Sequence, residues 1–352
     1  MFVVTKRCHS KCVYCDIWKA KDSPGGLDGE LTLEEIRRVA AANPFFQWID
    51  FTGGEPTDHP NFAEVVQTFA ETCKDLLLVH FPTNGIATKR IHSVVTQLKR
   101  TIRPRLVVTV SIDGPSELND RLRGIRNDFS HAVDTFCAVR RELGADNVFV
   151  GLTLHAFSKT SSITSTQLVQ ETYSAVNRAL IERGEDPIAW SSLHLNIPHL
   201  SQHYYGNTAP KQDSEFGGKD HRKEIADALR YAANQCTGTG SIPMRVIERI
   251  YRSEAMGYLS QGRTNIPCSA LLSTAYLSEK GEVYPCTIWN RPLGNVRSSN
   301  FRLMPIIEQA RSAGVRKAIT KQNCPNCWTP CEAYPAIAAA PFRSMVSLVR
   351  GT

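Results

Sequence analysis

Six short apolar runs, each but the last followed by a stretch of helical spacing, constrain the first 200 or so residues more than anything else in the chain. The runs are Phe2–Thr5, Trp48–Thr52, Leu76–Phe81, Leu106–Ile112, Val148–Leu154 and Leu193–Ile197. They are rich in Val, Ile, Leu and Phe with little polar alternation, as strands covered on both faces are. Between them lie periodic stretches at Leu33–Ala42, Phe62–Cys73, Lys89–Arg100, His131–Leu143 and Thr166–Glu182. Thr32 with Glu35 three residues on forms a capping box, and Pro44 stops that helix. Strand and helix in alternation predict a parallel α/β sheet, either open or curled into a partial barrel. Spacing alone does not choose between them.

From about residue 201 the pattern changes. Residues 201–220 are polar and suit a surface loop or lid. Helices are expected at His221–Cys236 and Met244–Tyr258. Thr274–Ser278 and Glu282–Pro285 read as a hairpin turning at Gly281, and Met304–Ile319 as an amphipathic helix. Expected divisions are therefore 1–200 for the α/β unit, 201–265 for a bridging loop and helices, 266–335 for a small α+β unit, and 336–352 for an Ala-rich tail.

The chain of 352 residues has 11 cysteines, an odd number and too dilute for a disulfide scaffold. Residues 1–7 are too short for a signal peptide, and no apolar run approaches the roughly 20 residues of a membrane span. The expected location is cytoplasmic, where grouped thiols stay reduced and serve metal or redox chemistry. A net charge of +7 is too small to argue for nucleic acid. Cys73, Cys137 and Cys236 fall in helical stretches and read as structural thiols.

In parallel α/β folds, functional groups gather at the carboxyl ends of strands. Cys8, Cys12 and Cys15 follow the first strand, Thr52-Gly-Gly-Glu-Pro56 the second and Pro82-Thr-Asn-Gly85 the third, and Ser111-Ile-Asp-Gly114 closes the fourth. Three thiolates in one loop hold three irons of a [4Fe–4S] cluster and leave the fourth open. A zinc site with His9 as fourth ligand is the alternative. Paired glycines let backbone approach a ligand closely, and the following carboxylate suits an ammonium.

Cys8-x3-Cys12-x2-Cys15 with Tyr14 before the last cysteine resembles the signature loop of the radical S-adenosylmethionine (SAM) superfamily. Phe51–Pro56, Thr83–Gly85 and Ser111–Gly114 resemble its later landmarks. The resemblance covers residues 1 to about 200 and implies a partial (β/α)6 TIM-like barrel. It implies that Cys8, Cys12 and Cys15 bind a [4Fe–4S] cluster whose open iron takes the amino and carboxylate groups of SAM. Gly53, Gly54 and Glu55 then hold the methionyl ammonium. Ser111 and Asp113 face the ribose or carboxylate side, and Asn84 joins the SAM-binding set. Arg121 or Arg123 is a carboxylate partner or part of a solvated loop, and Leu152, Leu154 or the backbone of Asn196–Pro198 flanks adenine. The implied chemistry is reductive cleavage of SAM to a 5′-deoxyadenosyl radical that abstracts a substrate hydrogen, with flavodoxin or ferredoxin as electron donor.

Cys268-x12-Gly281-x4-Cys286 followed by Cys324-x2-Cys327-x3-Cys331 resembles the auxiliary-cluster domains called SPASM and twitch. Two auxiliary clusters need eight cysteines, and this region has five, or six with Cys236. The shorter, twitch-like form is expected, with Cys268, Cys286, Cys324 and Cys327 as ligands. Cys331 is left as an alternative ligand, a structural thiol or a hydrogen-atom donor, and a zinc knuckle is the competing reading. The architecture implies a two-electron oxidation of a small molecule such as a sugar or aminocyclitol. Alternatives are a peptide maturase forming a cross-link or epimer and, from another class, an iron–sulfur electron carrier or zinc-binding module. His199 and Tyr205, in the loop after the sixth strand, are expected to border the substrate.

Overall fold

The structure, a computed structural model, describes residues 1–154, 163–208, 219–236 and 242–339. Its first part alternates β1 (Phe2–Thr5), α1 (Leu33–Ala42), β2 (Trp48–Gly53), α2 (Phe62–Thr72), β3 (Leu78–Thr83), α3 (Thr88–Thr101) and β4 (Arg105–Ser111). Then come α4 (Ser116–Arg123), α5 (Asp128–Leu143), β5 (Val148–Thr153), α6 (Ser165–Glu182) and β6 (Leu193–Asn196). All six strands pair in parallel in the order β6-β5-β4-β3-β2-β1, with no β6–β1 pairing among the described residues. This is the partial (β/α)6 barrel expected.

Strand alternation sorts the side chains. Ile49 and Phe51, Val79 and Phe81, and Val108 and Val110 pack outward into one core with Ile36, Phe69, Val95 and Phe136 of the helices. Phe51 sits edge-on to Phe62 and Phe69, with centroids 6.1 and 5.5 Å apart. Truncating such a fully buried ring to Ala costs about 3–5 kcal/mol. The alternate positions Asp50, His80 and Thr109 face the concave lumen.

The remaining elements are α7 (Lys219–Gln235), α8 (Ile242–Gln261), β7 (Tyr276–Leu277), β8 (Glu282–Tyr284), β9 (Gly294–Asn295), α9 (Leu303–Ser312), α10 (Val315–Thr320) and α11 (Pro330–Ala339). The hairpin does turn at Gly281, and its first strand pairs parallel with β1, Phe2 opposite Leu277. One nine-stranded sheet therefore runs from the barrel into the hairpin. Arg297, just after β9, clamps this extension to α1 by a two-pronged contact with Glu35 at 2.6 and 3.0 Å. That contact, with the Thr32 cap, holds the Glu35 carboxyl down at about 2.

Several expectations need correction. The single helix at Met304–Ile319 is two helices, broken at Ala313–Gly314. Helix α4 was not expected, because Ser-Glu-Leu-Asn-Asp-Arg-Leu-Arg carries only two apolar residues. Of the polar stretch 201–220, Ser201–Asn207 is not a loose lid: Ser201, Tyr204 and Asn207 are buried, while 209–218 lies outside the described residues. In the expected tail, Ala336–Ala339 completes α11, and 340–352 lies outside the described residues. No helix among the described residues is long and apolar enough to cross a membrane.

Candidate functional site

The loop after β1 carries Cys8, Cys12 and Cys15, all buried in one cluster with Val3, Tyr204, Tyr276 and Tyr284. Two anchors shape it. On one side Lys11 N and Val13 N donate to the carbonyls of Arg123 and Leu122 at the end of α4, both at 2.9 Å. Gly124 makes this approach possible: its φ is 69°, and a Cβ there would stand 2.6 Å from Lys11 O. On the other side Asp16 N donates to Tyr205 O at 2.8 Å and Asn207 Nδ2 to Tyr14 O at 3.0 Å. Burial pushes the Cys8 thiol up to about 12 and raises Cys12 as well, against the pull of Arg123. Buried thiols kept neutral in this way suit a cationic metal core that would reverse the shift. His9 points elsewhere, its Nδ1 2.6 Å from Asp58, so it does not complete a zinc set with the cysteines.

The end of β2 lies against this loop. Gly54 N donates to Thr5 O and Glu55 N to Arg7 O, at 2.9 and 2.7 Å. A Cβ on Gly53 would meet Thr5 O at 2.0 Å, and one on Gly54 would meet Arg7 O at 2.2 Å and Cys8 Cβ at 2.8 Å. The glycines thus admit the chain leading into Cys8, a role the sequence reading gave only to a ligand. Glu55 is buried, and its oxygens accept from Thr57 N and Oγ1, Thr83 Oγ1 and Asn84 N at 2.6–3.2 Å. Burial raises its carboxyl despite these bonds, and it pairs with no cation among the described residues. Asn84 uses its side-chain oxygen locally, accepting from Ile86 N at 3.0 Å.

Arg123 is turned inward. Its Nη1 lies 2.7 Å from Asp113 Oδ2 and its Nε 3.4 Å from Asp128 Oδ2. Tyr14 also donates to Asp113, as does Thr153 N, and Asn119 binds both Asp113 N and Asp128. The guanidinium therefore already has carboxylate partners, both from this chain. Ser111 is half-buried at the same strand end, whereas Arg121 is exposed.

The second cysteine set lines a cavity of about 220 Å3 beyond the hairpin. Cys268, Cys286, Cys324 and Cys327 all face it, with Glu332 and Arg316 in the wall. Burial pushes Cys268 and Cys286 up to about 12 and raises the Cys327 thiol as well. Cys331 is not in the wall; burial raises its thiol, the charges of Asp50, inside the barrel, and Glu332 add to this, and the N-terminal ammonium opposes it. Cys236 is remote too, accepting from Arg252 at 2.7 Å. Among the described residues no three His, Cys, Asp or Glu groups close tightly enough on one point to hold a single ion. Four thiols around one cavity are the donor set that a multi-iron cluster takes.

Some polar residues escaped the sequence reading. In the lumen, His80 Nδ1 lies 2.9 Å from Asp50 Oδ1 and its Nε2 2.9 Å from Thr109 Oγ1, one chain across three adjacent strands. His194, which the sequence suggests only as part of a substrate-bordering loop His194–Gly206, lies on β6 and meets Glu248 of α8 at 3.1 Å and Tyr334 of α11 at 2.8 Å. The signal was present as lone polar residues inside apolar runs. Tyr205 lies against the cysteine loop, while the His199 ring is set against Tyr258, 6.1 Å away. Burial lowers His199 to about 4.

Residues 2–157 match the Radical SAM superfamily. A GTP 3′,8-cyclase of Vibrio cholerae serotype O1 is 39% identical over 84 residues, 23% of this chain and 25% of that one. The mycofactocin maturase MftC of Mycobacterium tuberculosis is 31% identical over 122 residues, 34% of this chain and 29% of that one. The matched stretches thus span only a quarter to a third of these relatives. The crystal structure of Streptococcus suis SuiB shares the fold with a TM-score of 0.54 at 15% identity, over 88% of this chain and 67% of that one. The match to the Radical SAM superfamily is thus confined to residues 2–157, less than half of the chain, and the likeness to the solved structure shows the fold alone.

Proposed function

We propose that the whole chain is a radical SAM oxidoreductase in which Cys8, Cys12 and Cys15 hold the SAM-binding cluster and Cys268, Cys286, Cys324 and Cys327 hold one auxiliary [4Fe–4S] cluster. The observation that carries it is the convergence of segments from the ends of β1, β2, β3 and β4 around three buried thiols. Cys8, Cys12 and Cys15 would hold the first cluster, which when bound and reduced would supply the electron for reductive cleavage of SAM and so the hydrogen-abstracting chemistry. The chain's own groups bind and orient. The Gly53–Gly54 backbone and the cation-free carboxylate of Glu55 take the methionyl ammonium. Asn84, Ser111 and Asp113 form the rim beside the ribose or carboxylate. Arg123 acts through Asp113, fixing the rim rather than touching SAM. Tyr204 and Tyr205 roof the cysteine loop and exclude water.

Within this chemistry our reading is a two-electron dehydrogenation of a small hydroxyl-bearing molecule such as a sugar or aminocyclitol. The separate four-thiol cavity, as an electron acceptor, and the hydrogen-bonding lumen wall at Asp50, His80 and Thr109 support it. Peptide maturation is the second reading, favoured by the stretch shared with the mycofactocin maturase. The divisions 1–200, 201–265, 266–335 and 336–352 are kept as functional units, and a flavodoxin or ferredoxin is the proposed electron donor. The test is anaerobic purification with iron and sulfide analysis, then incubation with SAM and reductant. Sulfide-bearing iron at both sites and release of 5′-deoxyadenosine are expected. Zinc without sulfide, or no cleavage by fully loaded protein, overturns the reading. Deuterium passing into 5′-deoxyadenosine from labelled sugars rather than labelled peptides separates the two substrate classes.

A further inference from the structure

The loop that follows β6 touches both cysteine-bearing regions. At its far end, Asn207 Nδ2 donates to Tyr14 O at 3.0 Å and to His199 O at 3.2 Å, and its Oδ1 accepts from Ser201 N at 2.9 Å. Tyr205 O accepts from Asp16 N at 2.8 Å. Tyr14 and Asp16 are the two neighbours of Cys15. At its near end, Ser201 Oγ donates to Thr287 O at 2.6 Å, and the His203 Nε2–H donates to Cys286 O at 3.1 Å. Cys286 is one of the four thiols of the second cavity, and Thr287 is its neighbour. The His203 ring stacks on Tyr284 at 4.1 Å, and its carbonyl accepts from Lys6 Nζ at 3.1 Å.

Ser201 and Asn207 are 1% and 5% exposed. Buried polar side chains that bond to backbone carbonyls one residue from a cysteine, at both ends of one short loop, do more than cover apolar surface. Beside the sheet that runs from β1 into the hairpin, they tie the segment around Cys15 to the segment around Cys286 through side-chain bonds of one short loop.

We infer that His199–Asn207 is a strap that couples the two cysteine sites, so that filling the cavity of Cys268, Cys286, Cys324 and Cys327 tightens SAM binding at the Cys8, Cys12 and Cys15 loop. The coupling rests on the two-cluster reading above. By linkage it is reciprocal: SAM strengthens retention of the auxiliary cluster by the same factor. Ser201, His203 and Asn207 are positioning residues here, since none is required to touch SAM.

The test is a double-mutant cycle on the reconstituted, unreduced full-length protein. SAM affinity is measured by equilibrium dialysis with labelled SAM, alongside iron and sulfide content. One perturbation, Cys324→Ser with Cys327→Ser, empties the second site. The other, Ser201→Ala with His203→Phe, cuts the near end of the strap while keeping an aromatic ring on Tyr284. In the intact strap, emptying the second site weakens SAM binding about fivefold or more. In the cut strap it changes SAM binding little. Asn207→Asp, which removes the amide donor to Tyr14 O, gives the same result from the other end. An equal loss of affinity in intact and cut backgrounds, or no loss in either, overturns the inference. Iron content unaltered by the Cys324/Cys327 change overturns the auxiliary-site reading itself, which separates the two failures.

Discussion

Replacing Arg123 with Met removes the cation at the centre of the rim. The guanidinium is 2.7 Å from Asp113 and 3.4 Å from Asp128, and these side chains are 6%, 1% and 0% exposed. Taking away one partner of a buried ionic group costs about 3–5 kcal/mol, because an uncompensated charge stays behind. At about 2 °C per kcal/mol for a chain of this size, the melting temperature falls by roughly 6–10 °C. The loss depends on pH. Burial has already raised the Asp128 carboxyl to about 6, with Arg123 pulling the other way, so removing Arg123 raises it further. A raised carboxyl pKa adds stability that is full below the ordinary carboxylate range of about 4 and lost as pH rises through the folded value. The penalty of Arg123→Met relative to the parent is therefore largest at about pH 8 and shrinks toward about pH 5.5. Scanning calorimetry of parent, Arg123→Met and Arg123→Lys at both pH values measures it, with Lys intermediate because it keeps the charge and loses the fork. A parent-like melting temperature at pH 8, or an equal penalty at both pH values, refutes the reasoning.

Other outcomes follow from single contacts. Gly54→Ala places a Cβ 2.2 Å from Arg7 O and 2.8 Å from Cys8 Cβ; it is expected to displace Cys8 and deplete iron at the first site while sparing the second, read by iron content and electron paramagnetic resonance. Cys327→Ser is expected to remove about half of the bound iron, and Cys331→Ser none, because Cys327 lines the cavity and Cys331 does not. His80→Phe deprives Asp50 of its 2.9 Å partner and is expected to cost about 1–3 kcal/mol in urea unfolding at neutral pH. Burial opposes the Asp50 charge, yet bonding to His80 keeps its carboxyl below the usual range. That contribution is present above the ordinary carboxylate pKa and lost as pH falls, so the His80→Phe penalty diminishes in acid.

The six strands and the helices between them were legible because buried parallel strands need unbroken apolar runs and covering helices need a periodic stripe. Helix α4 was not, since its place is set by the cysteine loop and by Asn119 and Arg123 bonding inward, and its exposed face hides any stripe. The cysteine triplet and the three other strand-end motifs were equally visible, because grouped thiols and paired glycines stand out from the apolar runs they follow.

By itself, then, the sequence determined the parallel alternation of strands and helices, the ends of the strands where chemistry collects, and which thiols stand in groups. Local spacing carries that information. Only the tertiary structure decided that Arg123 serves Asp113 and Asp128, that Gly53 and Gly54 make room for the chain entering Cys8, and that Cys331 stands apart from the four-thiol cavity. It also decided that the loop after β6 ties one cysteine site to the other. These contacts join residues far apart in the chain, and no periodicity records which donor a distant carbonyl will meet once the sheet has curled.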